Sequence, residues 1–135
     1  MGVAEKKKIV PEHYSPIMPY IVLPDDADGF IEFIQTVFGA EKKLRVDHEN
    51  GELMHAEYSL NGGTIMFGQS GGPWKPFPWA MYLVTNDVDG LYTKGLENGA
   101  TGNQEPDDRG YGRAAGFIDK WGNQWWLNDP AGSIT

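Results

Sequence analysis

Hydrophobic residues follow two different periods along the chain, and the change between them predicts where strands and helices lie. A short apolar run, Met18 to Leu23, ends at Pro24 and predicts a strand followed by a turn. The next apolar positions, within 30–38, are three and four residues apart, which is the spacing of one helix face. Asp26 can cap the start of this helix, and Gly39 can end it in a left-handed conformation.

The same order of signals returns near the middle of the chain. An apolar run starts at Met81, Asp87 stands in the capping position, and Gly99 follows the last apolar helix residue. Asp87 follows Asp26 by 61 positions, and Gly99 follows Gly39 by 60, so the spacing repeats together with the residue types. Repetition at a fixed period indicates two copies of one supersecondary unit.

Period-two alternation follows each helix and predicts strands. Asn50-Gly51 is a hairpin signal in the first half, and residues 121–123 are predicted to form a turn between two strands in the second half. The predicted strands are 43–46, 53–60 and 64–67 after the first helix, and 102–105, 114–119 and 124–127 after the second. The predicted class is α+β, with two tandem βαβββ modules forming a mixed eight-stranded sheet around a cleft and helices on its outer face.

These elements also predict the domain organisation. We expect one domain at 17–129, with module one at about 17–68, a connector at 68–78 that is rich in Gly and Pro, and module two at about 79–129. Residues 1–16 are expected to form a flexible leader, and 130–135 a C-terminal tail.

Composition and charge narrow the possible partners. Eleven Lys and Arg against nineteen Asp and Glu give a net charge of −8, the wrong sign for binding nucleic acid. No window approaches the roughly 18 consecutive apolar residues that predict a membrane span. The chain has no cysteine, which excludes disulfides and thiolate chemistry and fits the cytoplasm. We therefore expect a cytoplasmic protein whose partner is a small organic molecule, and no nucleic-acid or membrane partner.

Four short motifs fall within the predicted elements. They are Pro19-Tyr20 in the first strand, Phe38-Gly39-Ala40 at the end of the first helix, Met54-His55-Ala56-Glu57 in a strand, and the closing segment 122–127. Together with the tandem units they resemble the glyoxalase/bleomycin-resistance/dioxygenase superfamily, also called the vicinal oxygen chelate superfamily, and its PhnB-like branch most closely. The resemblance covers roughly residues 17–129. It implies this fold, a small-molecule cleft and a homodimer.

The resemblance also implies where a metal would bind. Metalloenzymes of the superfamily place His, Gln or Glu ligands on the first and last strands of each unit, and the corresponding positions here are Pro19, Met66, Ala80 and Trp126. A register shift of one residue would bring in Tyr20, Phe67 and Met81 instead. None of these side chains is a usable ligand for a divalent metal. We therefore predict a cleft without a metal or another cofactor.

Strand alternation predicts which polar side chains line the cleft. In the strand 53–60, His55 and Glu57 share one face, while Met54 lies with the apolar residues of the other, which should meet the helix. His55 and Glu57 are the candidate catalytic residues, with His55 as acid or base. The same pair could equally be a hydrogen-bonded structural feature.

The remaining candidates form an aromatic wall. Alternation places Met66, Tyr82, Phe117 and Trp126 on the cleft face, and Tyr20 and Trp79 complete the predicted ligand-binding set. Such a wall suits planar or cationic ligands, although aromatic residues also fill ordinary sheet cores. Arg113 resembles an arginine of the PhnB-like branch and could hold a carboxylate or phosphate, or could form a salt bridge with the segment 107–109.

Three functions are consistent with these features. The first is a metal-free homodimer that binds or sequesters a small aromatic or cationic organic ligand, as the resemblance to bleomycin-resistance proteins implies. The second is a glyoxalase-related enzyme of unknown reaction that uses His55 as acid or base and Glu57 to orient it. The third is a structural dimer whose cleft is filled by its own side chains.

Overall fold

The computed structural model describes residues 10–131, and these contain two helices and eight strands. In chain order they are β1 (Tyr20–Leu23), α1 (Ala27–Phe38), β2 (Glu41–Asp47), β3 (Leu53–Leu60), β4 (Gly63–Gln69), β5 (Ala80–Val84), α2 (Val88–Glu97), β6 (Thr101–Asp108), β7 (Arg113–Ile118) and β8 (Gln124–Asp129). The order βαβββ therefore occurs twice, as predicted. Neither helix in this part of the chain is long and apolar enough to cross a membrane.

Each βαβββ unit forms its own sheet. The strand orders are β1-β4-β3-β2 in the first sheet and β5-β8-β7-β6 in the second. The first strand of each unit runs parallel to the last, and the other neighbours are antiparallel. The eight predicted strands are thus distributed over two mixed four-stranded sheets with the same connectivity, which confirms the α+β class and the tandem modules.

Both helices begin at the predicted capping residues. The Asp26 side chain accepts a hydrogen bond from the backbone N–H of Gly29 at 3.0 Å, and Asp87 accepts the equivalent bond from Gly90 at 3.1 Å. Gly39 ends α1 with a φ of 69°, a left-handed conformation that glycine adopts without strain. The repeated capping signals therefore have the same physical role in both modules.

An aromatic core joins the two modules on the helix side of the sheets. Phe38 at the end of α1 stacks on Trp125 of β8, with ring centroids 4.4 Å apart. Phe33 of α1 contacts Phe117 of β7 edge-on, with centroids 6.1 Å apart. Because the modules meet through this side, the opposite face of each sheet is left open.

Large side chains remain exposed on these open faces. Tyr20 on the first sheet is 40% exposed, and Tyr82 and Trp126 on the second are 59% and 42% exposed. Full burial of such side chains would contribute roughly 1.5–3 kcal/mol each. Much of this stabilisation is therefore unused in a single chain.

Phe117 lies in the core and not on the cleft face that was predicted for it. In the β7–β8 ladder, Phe117 pairs with Trp125, and Gly116 pairs with Trp126. Paired residues share a face of the sheet, so the open face takes Gly116 and the core takes Phe117. A Cβ on Gly95 of α2 would lie 2.4 Å from the Phe117 ring, so the helix approaches this ring very closely. The prediction failed because Ala114-Ala115-Gly116 gives β7 no clear alternation of large and polar residues.

A second departure occurs at the start of β3. The β2–β3 ladder pairs Val46 with His55 but Asp47 with Leu53, so β3 contains one extra residue at this point. Such a β-bulge reverses the alternation beyond it. Leu53 is therefore buried in the core, and Met54 is 46% exposed instead of facing the helix as predicted.

Candidate ligand-binding groove

A groove of about 1110 Å³ lies on the open face of the first sheet. Its floor consists of residues from β1, β3 and β4, and its walls are the β2–β3 hairpin and the connector that follows β4. The lining side chains include Tyr20, His48, Met54, His55 and Trp74. All lining residues fall between positions 20 and 74, so the second module of the same chain contributes none.

Tyr20 and His55 form a polar pair on the floor of the groove. The Tyr20 hydroxyl lies 3.0 Å from Nδ1 of His55, and the two rings are stacked with centroids 5.6 Å apart. Both side chains are partly exposed. A bound molecule can therefore reach this pair.

Glu57 is buried beside this pair, with 2% of its surface exposed. Its Oε2 accepts hydrogen bonds from Nε2 of His55 at 2.8 Å and from the Tyr14 hydroxyl at 2.6 Å. Its Oε1 accepts a third from Nε2 of His13 at 2.9 Å. The predicted His55–Glu57 pair is thus part of a larger network that contains two side chains from the segment before β1.

These hydrogen bonds determine the ionisation of Glu57. Burial alone raises the pKa of this carboxyl group above its ordinary value of 4.5. The hydrogen bonds from His55, Tyr14 and His13 together outweigh this effect and bring the pKa down to about 2. Glu57 is therefore a carboxylate at neutral pH and can only accept hydrogen bonds. It follows that Nε2 of both histidines carries a proton.

The hydroxyl of Tyr20 remains protonated in this environment. Burial raises the pKa of Tyr20, and the negative charge of Glu57 raises it further. When His55 is neutral with its proton on Nε2, its Nδ1 has a free lone pair and can only accept. The Tyr20 hydroxyl therefore donates its hydrogen bond to His55.

His13 and Tyr14 were not among the predicted site residues, because the sequence assigned them to the leader 1–16. The structure places both against Glu57, and the His13 carbonyl also accepts a hydrogen bond from the Thr64 hydroxyl. A buried carboxylate needs several donors, which was the one available indication that His55 would not be its only partner. Residues 1–9 lie outside the described part of the chain.

Gly68 lets the groove floor pack closely. A Cβ at this position would lie 2.6 Å from the carbonyl oxygen of Met54 and 3.2 Å from the Tyr20 hydroxyl. Only a residue without a side chain fits between the bulge of β3 and the tyrosine. Gly68 therefore helps to set the position of the Tyr20 hydroxyl.

The other predicted aromatic residues lie on the second sheet, away from the groove. Tyr82 of β5 is the cross-strand neighbour of Trp126, and Trp79 stands exposed just before β5. We call Trp79, Tyr82 and Trp126 the aromatic face. Met66 is half-buried on the first sheet between Tyr20 and Glu57 and is not among the groove-lining residues.

Arg113 lies on the helix side of the second sheet, which contradicts its assignment to the cleft. Its Nη2 is 3.0 Å from Oδ1 of Asp89 in the first turn of α2, and its Nη1 is 3.3 Å from Oδ1 of Asp108. Arg113 shares a strand face with Phe117, so alternation directs it towards the helix. The salt-bridge alternative is therefore the one that the structure supports.

The described residues do not fit the metal site of the superfamily. Pro19, Met66, Ala80 and Trp126 offer no imidazole or carboxylate. His13 and His55 lie near Glu57, but both direct a protonated Nε2 at its carboxylate. Within residues 10–131, no group of three or more His, Cys, Asp or Glu is arranged to hold a metal ion.

The tandem modules and the open groove define a class of fold, and the sequence identifies the family. The profile of the Glyoxalase/Bleomycin resistance protein/Dioxygenase superfamily matches residues 15–127, so the chain belongs to this superfamily. An uncharacterized protein of Mycobacterium bovis is 30% identical over 130 residues, with 87% of this chain and 85% of the relative covered. A Mycobacterium tuberculosis relative is also 30% identical over 130 residues, covering 87% and 76%.

Solved structures with the same fold come from several bacteria. TioX from Micromonospora sp. ML1 has a TM-score of 0.67 and 22% identity, covering 84% of this chain and 98% of TioX. A PhnB protein from Bacillus cereus has a TM-score of 0.67 and 17% identity, with the same coverage. The fosfomycin resistance protein FosX from Listeria monocytogenes has a TM-score of 0.66 and 16% identity, covering 86% and 93%. At these identities the likeness concerns the fold alone.

Proposed function

We propose that the protein binds a small organic ligand in the groove of the first sheet, that aromatic cations are the preferred ligands, and that a second chain completes the site. The observation that carries this proposal is the open groove with the Tyr20–His55 pair on its floor. Pockets with mostly apolar walls and a few convergent polar groups are the usual form of small-molecule sites. A cleft filled by its own side chains is not supported by a groove of this size.

The groove favours cations through its charges and rings. Among its described lining residues are the carboxylates Glu49 and Glu52, and no lysine or arginine. Trp74 stands exposed at the rim, and the Tyr20 ring forms part of the floor. A cation over an aromatic face gains roughly 0.5–2 kcal/mol, depending on its desolvation. The net charge of −8 would add a general attraction for cations.

A homodimer would join the groove of one chain to the aromatic face of the other. In one chain the groove uses only the first module and the connector, and the aromatic face of the second module has no cover. Exposed apolar surface of this kind is typical of interaction sites. A two-fold dimer would cover both aromatic faces at once and create two equivalent clefts.

Binding without turnover would suffice for sequestration. Structural neighbours include a glyoxalase/bleomycin resistance protein from Streptomyces sp. CB03234 and FosX, whose names refer to antibiotic resistance. Capture of a toxic organic molecule requires affinity and no chemical step. These names support the sequestration role as the first one to test.

Proflavine, a planar fluorescent cation, provides the test. We expect saturable binding by fluorescence anisotropy, and an affinity for anthracene-9-carboxylate that is weaker by about 10-fold or more, the effect of about 1.4 kcal/mol. Trp126→Ala should weaken both proflavine binding and dimerisation measured by sedimentation velocity. Tyr111→Ala, which removes an exposed ring in the β6–β7 loop, is the matched control. Equal affinity for both probes, or no binding, would contradict the proposal.

An acid–base enzyme is the second candidate, and the hydrogen bonds among Tyr20, His55 and Glu57 favour it. The geometry supports the orienting role that the sequence suggested for Glu57. Its two oxygens are occupied by three donors, so it can orient His55 but is not free to exchange protons with a ligand.

A further inference from the structure

We infer that Tyr20 is the residue that exchanges a proton with a molecule bound in the groove, while His55 accepts the phenolic proton and Glu57 orients the imidazole. The substrate class is an organic carbon acid with a planar body, because Tyr20 and Trp74 offer aromatic surfaces to a molecule in the groove. This inference rests on the groove being the ligand site. It assigns Tyr20 a chemical role beyond contact with the ligand.

The direction of each hydrogen bond follows from Glu57. Its carboxylate only accepts, so Nε2 of His55 donates, at 2.8 Å. In the neutral imidazole Nδ1 then has a lone pair and receives the Tyr20 hydroxyl hydrogen, at 3.0 Å. The order hydroxyl, imidazole, carboxylate is the one by which a triad activates a weakly acidic hydroxyl.

Accessibility selects Tyr20 among the three side chains. Both oxygens of Glu57 are engaged and the residue is buried. Both ring nitrogens of His55 are engaged, one by Glu57 and one by Tyr20. The oxygen of Tyr20 uses its hydrogen towards His55, and within residues 10–131 no donor occupies its lone pairs, which can accept a hydrogen from a ligand.

The proposed step moves two protons and needs no redox partner. A ligand C–H bond breaks, its electron pair stays on the ligand, and the proton forms a new O–H bond on Tyr20. The original O–H bond of Tyr20 breaks at the same time, and that proton forms an N–H bond on Nδ1 of His55. The imidazolium produced lies next to ionised Glu57, which stabilises its charge. The three side chains together change from a net charge of −1 to zero.

The second module offers a comparison for Tyr20. Tyr82 occupies the equivalent place, next to Trp126 where Tyr20 has Met66. Beyond Trp126 stands Gly116, where the first sheet has Glu57. A phenol without an imidazole and a carboxylate should have no proton-transfer activity of its own. Because Tyr82 belongs to the aromatic face, the control is the exposed phenol of Tyr111 in the β6–β7 loop, and Tyr111→Phe should leave the rate unchanged.

The test uses 5-nitrobenzisoxazole, a planar carbon acid. Removal of its C3 proton breaks its N–O bond, the electron pair of the C–H bond becomes part of a nitrile, and the oxygen leaves as a coloured phenolate. We expect saturable turnover by the full-length protein, with kcat lowered about 100-fold or more in Tyr20→Phe and His55→Gln, the usual contribution of a general base. KM should change little in Tyr20→Phe because the ring is retained.

Nitrogen NMR of the imidazole rings tests the positioning role of Glu57 separately. In the wild-type protein, neutral His55 should carry its proton on Nε2. Glu57→Gln presents an amide that can donate to Nε2, so it should move the proton to Nδ1 and lower kcat even where the variant is folded by circular dichroism. A neutral His55 with its proton on Nδ1 in the wild-type protein would overturn the inference.

The remaining outcomes separate this inference from ligand binding itself. If proflavine binds but 5-nitrobenzisoxazole is not turned over above the buffer rate, proton transfer by Tyr20 is wrong and the groove remains a binding site. The same conclusion holds if Tyr20→Phe and wild-type protein have equal kcat. If neither probe binds, both proposals fail.

Discussion

The two modules share a backbone but differ sharply along one row of side chains that crosses each sheet. In the first sheet, three cross-strand neighbours run from an exposed ring to a buried carboxylate: Tyr20, Met66 and Glu57. In the second sheet, the equivalent row has an indole over a glycine: Tyr82, Trp126 and Gly116. The tyrosine is common to both rows, and its partners are not.

This difference shows how a repeated fold can divide two tasks between its halves. Glu57 draws donors from His55 and from the segment before β1, which produces an ordered polar site. Gly116 leaves room for Trp126, and a Cβ there would lie 3.2 Å from the indole ring. The first sheet is thus suited to chemistry or specific recognition, and the second to covering apolar surface.

The largest expected effect tests which ring of the second module is structural. Phe117→Ala should lower the free energy of unfolding by about 3–5 kcal/mol, because a fully buried ring leaves a cavity. Tyr82→Ala should change it by less than about 0.5 kcal/mol in the monomer, because this ring is mostly exposed in a single chain. Urea unfolding measures both, and equal losses would contradict the assignment of the two faces.

The next effect concerns the carboxylate that distinguishes the first row. Glu57→Gln should cost about 1.5–3 kcal/mol at pH 7, the range for hydrogen bonds to a charged group. Glu52→Gln removes an exposed carboxylate of the same groove and serves as the control. A loss no greater than that of the control would mean that the network adds no stability.

The stability of the wild-type protein should also depend on pH through Glu57. Its pKa is lowered from 4.5 to about 2 in the folded chain, so its contribution is complete above pH 4.5 and is lost as the pH falls towards 2. Thermal unfolding between pH 5 and about 2 should therefore show a decline that is shallower in Glu57→Gln. Parallel profiles would show that other carboxyl groups cause the decline.

A smaller effect is expected at the groove floor. Gly68→Ala should cost about 1–3 kcal/mol by overpacking and should weaken proflavine binding, because its Cβ would meet the Met54 carbonyl and approach the Tyr20 hydroxyl. Gly63→Ala on the same strand is the control, since its Cβ would make only an ordinary contact at 3.7 Å. Unchanged binding in Gly68→Ala would argue against a role for Tyr20 in the ligand site.

The smallest effect on stability is expected at an ion pair that both modules share. Arg113 pairs with Asp89 at the start of α2, and Arg45 pairs with Asp28 at the start of α1. Exposed ion pairs add little stability, so Arg113→Gln and Arg45→Gln should barely move the urea midpoint. Arg113→Gln should also leave binding of anthracene-9-carboxylate and proflavine unchanged. A clear loss of either ligand would restore Arg113 to the site.

The sequence predicted the features that depend on local signals. Asp26, Asp87 and Gly39 act at helix ends through contacts with neighbours a few residues away. Their roles can therefore be predicted from their spacing in the sequence. Asn50-Gly51 lies between β2 and β3, as the hairpin signal predicted. The repeat of these signals was enough to predict both modules.

The features that were missed depend on distant partners or on small irregularities. The bulge that turns Met54 outwards has no local marker, and the run Ala114-Ala115-Gly116 hides the alternation that would have placed Phe117 in the core. His13 contacts Glu57 across 44 positions of sequence, a contact that only the folded chain reveals. The sequence therefore predicted that His55 and Glu57 lie together, but not the hydrogen-bond network around them.

The contact of His13 and Tyr14 with Glu57 bears on where the domain begins. The family profile starts at residue 15, and a chain trimmed to begin there would retain both helices and all eight strands. It would nevertheless leave the Glu57 carboxylate with His55 as its one donor from this network. Without the other two hydrogen bonds the pKa of Glu57 would rise towards its ordinary value, so the trimmed protein would be less stable at neutral pH and would lose less stability on acidification than the intact one. The family match therefore begins two residues too late for the site. His13 and Tyr14 lie outside the match, yet their hydrogen bonds help to keep the buried Glu57 carboxylate ionised.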